Sequence, residues 1–233
     1  MTFIFESFYN ALILIFHLDP ELLKIMYLSL KVSGSALIFA GIFGLPLAAL
    51  LAMRPIPLKS FLLSLMNTCM GLPPVVVGLF IYMMLSRSGP LGFMGLLYTP
   101  AAMIFAQFVL AFPIIVALCH SAVVSVDPII RQAALTLGAT KGQAALTVVA
   151  EARYGILAAI IAAFGRLMAE VGAILIVGGN IAGYTRVMTT TIALEADKGN
   201  FELALALGII LLTMALFINS LLHFLQRKGF DSR

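Results

Sequence analysis

The chain has 233 residues, 62% of them hydrophobic and 10% charged, with a mean hydropathy of +1.12. A soluble domain of this size would carry about 25% charged residues, so the composition places the chain in a membrane. Its net charge of +4 is scattered along the sequence and marks no nucleic-acid surface.

Residues 1–6 lack a basic stretch, so no cleaved leader is expected. The apolar stretch 7–18 is too short to span and is followed by Asp19-Pro20, which ends it. A short interfacial helix is expected there. Charge-free runs at 32–53, 60–86, 88–126 and 203–226 are each long enough to cross a bilayer core, which takes about 20 residues. A further crossing at 154–178 contains Arg166 and Glu170. The expected spans are therefore 27–53, 60–86, 98–126, 154–178 and 203–226, within one all-α integral membrane domain covering 1–233. Gly34, Gly41 and Gly44 in the first span would permit close helix contact or are simply tolerated there. Cys69 and Cys119 fall inside apolar runs and read as small hydrophobes. His17, His120 and His223 are isolated, so neither a metal site nor another cofactor is expected in this chain.

Charge bias orients the spans. With the N-terminus outside, the inner side carries Arg54, Lys59, Arg131, Lys141, Arg153, Arg227, Lys228 and Arg233. The outer side carries Lys24, Lys31, Arg87, Arg186 and Lys198. The positive-inside bias favours this assignment, with the C-terminus in the cytoplasm.

With this orientation the one sizeable inner loop is 127–150, which carries Asp127, Arg131 and Lys141. Asp127 can cap a helix that opens on Pro128. A short amphipathic segment follows to Leu137, Gly138 breaks it, and a second helix starts near Lys141. Such a helix–Gly–helix elbow is either a plain connector or a stiff edge for a cytoplasmic partner.

This segment resembles the coupling loop of ABC importer permeases, whose signature is Glu-Ala-Ala, three residues, Gly, nine residues, Ile-x-Leu-Pro. Gln132-Ala133-Ala134 is followed after three residues by Gly138-Ala139, and 148–151 occupies the final positions. Gln132 replaces the Glu, and the Pro is missing. The Gln loses the charge, so the resemblance implies the elbow shape but no salt bridge from this position. The likeness extends over about 26–225. Residues 67–78, with Pro73 and Pro74, are similar to a second-span segment of oxyanion permeases, and Gly165-Arg166-Leu167-Met168-Ala169-Glu170-Val171-Gly172-Ala173 to their fourth span. Residues 178–191 most resemble the tungstate branch, with molybdate and sulfate branches close.

The resemblance implies a type I importer permease. Arg131, Gln132, Ala133, Ala134, Gly138, Ala139 and Lys141 would meet the ATPase. A second copy of the chain, an ATPase dimer and an external binding protein would be its partners, in the cell membrane of a bacterium or archaeon. The chain would catalyse nothing itself. It has no Gly-x-x-x-x-Gly-Lys-Ser/Thr, and no lysine follows a glycine. A self-sufficient secondary transporter or anion channel is the rival; it would call for an internal repeat or coupling-ion ligands, and neither is visible.

Arg166 and Glu170 stand four apart, so on a continuous helix they would pair. Charges at membrane depth face a bundle interior or aqueous path. With Gly172, Pro73 and Pro74 they are candidates for a gate or dimer interface, or else a packing pair. Arg186 with Thr185, Thr189 and Thr190 offers donors matched to a tetrahedral oxyanion or to a binding protein, or else forms a solvated outer loop.

Overall fold

The computed structural model describes residues 20–230 together with Tyr9, Leu12 and Ile13, without the side chains of 219 and 221–230. Apart from those three positions, the interfacial helix expected over 7–18 lies outside the described residues. All regular structure among the described residues is helical.

Helix α1 spans Pro20–Met53 and begins seven residues before the expected span. Pro20 does not exclude the chain from this helix but opens it. A first-turn residue has no intrahelical use for its N–H, and Glu21 suits the positive helix end. Ala36, Ala40, Gly44 and Ala48 recur every four residues and are buried. This stripe of small residues lets α1 lie along α4 (Pro100–Val124), the most enclosed of the three long apolar helices. At Gly44 the approach is closest: a Cβ there would stand 2.9 Å from Ile115 Cγ2. Gly34 and Gly41 face open space within 4 Å, so only Gly44 has the packing role.

The expected span 60–86 is not one rod. It divides into α2 (Lys59–Met70) and α3 (Pro74–Leu85), bent by 101° at 71–73. Pro73 and Pro74 supply no N–H, and Leu72 before them is driven away from helical angles. A 3₁₀ turn, Gly92–Met94, then leads to α4, whose start is capped by Thr99 accepting from Ala102 N–H.

Helices α5 (Pro128–Thr136) and α6 (Lys141–Glu151) form the elbow. At Ala152 the chain bends by 62° into α7 (Arg153–Met168). The expected span 154–178 is broken as well. It comprises α7, a gap at 169–171 and the short α8 (Gly172–Gly178). Gly179, at φ 70°, ends α8 by donating to the Leu175 carbonyl. Helices α9 (Met188–Asp197) and α10 (Phe201–Phe230) complete the chain. Helices α1, α4 and α10 are long and apolar enough to cross a membrane, and two bent pairs, α2–α3 and α6–α7, each pass the same test jointly.

The half-helices α3 and α8 lie against each other. A Cβ on Gly78 would sit 2.7 Å from Ala173 Cα, and one on Gly172 would sit 2.6 Å from Val75 Cγ2. At Gly78 backbone meets backbone, which only glycine permits, and at Gly172 the Val75 side chain takes the space of a Cβ. Two ends of the molecule are thereby defined. Tyr98 N–H donates to the Val177 carbonyl (2.9 Å) at one end, and Arg54 shares a cleft with Gly142 of the elbow at the other.

Candidate functional site

The elbow is built entirely from local chemistry. Asp127 accepts from Ile129 N–H at 2.8 Å, and Pro128 occupies the first turn. At the far end of α5, Ala139 N–H reaches the Ala134 carbonyl (3.0 Å) and Gly138 N–H the Leu135 carbonyl (3.1 Å). That pair of bonds is a Schellman motif, and its left-handed residue is Gly138 at φ 89°. A Cβ at Gly138 would meet nothing within 4 Å, so the backbone angle, not crowding, demands glycine. Thr140 immediately caps α6. Its N–H donates to Gln143 Oε1 (2.8 Å) and its Oγ1 accepts from Gln143 N–H (3.3 Å). Two caps back to back fix the angle between α5 and α6.

No residue of α5 is buried. Arg131, Gln132, Ala133 and Lys141 are exposed, while Ala134 and Ala139 are half-buried. Ile129, Leu137 and Leu146 are 65%, 89% and 70% exposed, an apolar set absent from the sequence-based list. The Thr140-x-x-Gln143 spacing was itself a legible capping signal.

The gap between α7 and α8 is braced by buried polar groups. Glu170 is 4% exposed, and its Oε1 accepts from Ala173 N–H (3.2 Å), closing the start of α8. The Glu170 carbonyl accepts from Thr189 Oγ1 (2.7 Å), and the Leu167 carbonyl accepts from Gln107 Nε2 of α4 (3.0 Å). Met188 N–H donates to Ser29 Oγ (2.8 Å), which brings α1 into the same network. Gln107 and Ser29 are functional candidates that sequence reading missed, because their partners lie 60 and 159 residues away.

This geometry corrects the expected Arg166–Glu170 pair. Arg166 lies exposed in the last turn of α7, while Glu170 lies beyond that helix and is buried. An ion pair does form in the α9 region, Lys198–Glu195 at 2.8 Å. Lys198, with Asn200 and Arg186, holds the Glu195 carboxyl below its ordinary range despite burial. Pro73 is exposed and Pro74 half-buried at the start of α3, on the helix that packs against α8 beside Gly172.

The hydroxyls around Arg186 also have other partners than expected. Thr185 is fully buried, donates to the Gly178 carbonyl (2.6 Å) and accepts from Ile181 N–H (2.9 Å). Thr190 bonds Val187 N–H (3.1 Å), and Thr189 is the brace on Glu170. These threonines staple the α8–α9 turn and open α9; they do not form a solvated loop. Arg186 lines a cavity that it shares with the start of α1, whereas Thr189 lines only a small void beside Ser29 and Ile174.

Comparison with known proteins agrees with this architecture. The "Probable anion ABC transporter permease protein" of Haloferax volcanii is 48% identical over 205 residues, 86% of this chain and 88% of the relative. The tungstate uptake system permease protein TupB of Peptoclostridium acidaminophilum is 39% identical over 228 residues, covering 98% of this chain and 100% of the relative. The MetNI methionine ABC transporter, solved in inward facing conformations, superposes with a TM-score of 0.72 at 18% identity, over 89% of this chain and 95% of that one; it shares the fold. Residues 44–229 match the family described as the binding-protein-dependent transport system inner membrane component, and the chain belongs to that family.

Proposed function

We propose that the chain is the permease subunit of an ABC importer for tungstate, or molybdate, and that its elbow 127–150 is where a separate ATPase delivers force. The observation that carries this reading is the elbow itself. Two back-to-back caps make it stiff, no residue of α5 is buried, and Ile129, Leu137 and Leu146 expose apolar surface around Arg131 and Lys141. A rigid edge transmits displacement, whereas a floppy connector would absorb it.

Two copies of the chain enclose the pathway, an ATPase dimer binds the two elbows, and an external binding protein delivers the anion. The chain crosses the membrane five times, at α1, α2–α3, α4, α7–α8 and α10, with the elbow left outside the bilayer, the N-terminus outside and the C-terminus inside. Closure of the ATPases moves the elbows, and the braced gap at Glu170 passes that motion to the α3–α8 contact, which opens or closes the path. The near-full-length similarity to a tungstate permease supports the choice of substrate. Gln132 leaves the elbow position without a carboxylate, so docking here rests on shape and apolar contact.

Cysteine labelling at Ala139 and Gly199, in a background lacking Cys69 and Cys119, tests the orientation. An impermeant reagent on sealed cells is expected to modify position 199 and spare position 139. Modification of position 139 from outside would overturn the assignment.

A further inference from the structure

We infer that the cavity between the start of α1 and the α8–α9 turn is a binding site for a tetrahedral oxyanion, held by Lys24 and Arg186 between the phenols of Tyr27 and Tyr184. The cavity has a volume of about 630 Å³. Lys24 and Arg186 line it from two elements, and neither enters an ion pair among the described residues. Arg186 lines the cavity, and its buried Nε has no hydrogen-bond partner among the described residues. Glu195, the acid nearest in influence to Arg186, is already committed: Oε1 to Lys198 at 2.8 Å and Oε2 to Asn200 at 3.0 Å. Glu21 is the one carboxylate in the lining.

Guanidinium and ammonium groups donate and never accept, and a phenol can donate as well. A ligand that accepts on several sides at once satisfies this set, which is the property of a tetrahedral oxyanion. The space exceeds a bare anion and suits a hydrated one or a phosphate carrying a lipid headgroup. Lys24 stands 29 residues before Met53 at the other end of α1, so at 1.5 Å per residue the cavity is about 40 Å from the part of α1 that meets α6. The site therefore belongs to the end opposite the elbow. This inference rests on the reading of the chain as an oxyanion permease, where it would hold the anion at the outer mouth. A free oxyanion and an anionic phospholipid offer the same chemistry.

The test uses the full-length chain assembled with its ATPase in nanodiscs, titrated with tungstate and without ATP. Lys24 is exposed, so Lys24→Glu removes a cation without disturbing packing. Wild type in phosphatidylcholine discs is expected to bind tungstate, and Lys24→Glu and Arg186→Gln to weaken binding by about tenfold or more. Repeating the titration with phosphatidylglycerol in the disc identifies the source. Loss of wild-type binding there makes lipid phosphate the resident ligand, and persistence makes it the free anion. Equal binding by wild type and Lys24→Glu, or no binding by wild type in phosphatidylcholine, would overturn the site. ATP-driven uptake by the same assembly is scored separately, so a failed site and a failed transport reading give different results.

Discussion

At the scale of single residues, two positions carry sharply defined loads. Gly138 holds φ 89° with open space around its Cα. A β-branched residue in the left-handed region costs roughly 1–2 kcal/mol, and the elbow would relieve that strain by changing its angle. Gly138→Val is expected to insert normally but to lower stimulated ATPase activity and uptake together; normal uptake at normal expression would remove the elbow from the coupling path. Glu170 acts chiefly as an acceptor. Glu170→Ala removes the bond to Ala173 N–H and is expected to cost about 0.5–2 kcal/mol, in line with a lost helix cap. Glu170→Gln keeps an acceptor oxygen and should lose less, read as a smaller fall in thermal midpoint. Equal losses would mean that the negative charge, not the bond, is what the site needs.

At the scale of elements, the fold divides into parts set locally and parts set at a distance. The elbow was legible because Asp127, Pro128 and Gly138 act within a few residues of themselves. The bend at 71–73 was also written locally, in Pro73-Pro74, although a count of apolar residues alone reads 60–86 as one rod. The gap at 169–171 was not legible. Ala169 and Glu170 are good helix formers, and the chain opens there because Thr189, Gln107 and Ala173 engage the local carbonyls and carboxylate. The Arg166–Glu170 spacing pairs only on a continuous helix, and α7 ends at Met168. Threonine chemistry misled in a similar way: hydroxyls beside an arginine look like anion ligands in sequence, but burial turned them inward. The α3–α8 contact gives this scale its own test. Gly78→Ala drives a Cβ toward backbone at 2.7 Å and is expected to cost about 1–3 kcal/mol. Gly41→Ala, with nothing within 4 Å, should be near neutral. Matching losses for the two would mean that α3 and α8 are not in close contact in the membrane.

At the scale of the molecule, the elbow at one end and the cationic cavity at the other are joined by α1 and by the braced gap in the middle. In the proposed function force and ligand enter at opposite ends, which is what an alternating-access subunit driven from outside its own chain requires. The central claim is that this chain supplies the path while a separate ATPase supplies the work. Uptake of tungstate into proteoliposomes tests it most directly, comparing the chain alone, the chain with its ATPase, and both with the external binding protein. Uptake is expected only in the last case, and only with ATP on the elbow side. Uptake by the chain alone, driven by an ion or proton gradient, would contradict the account.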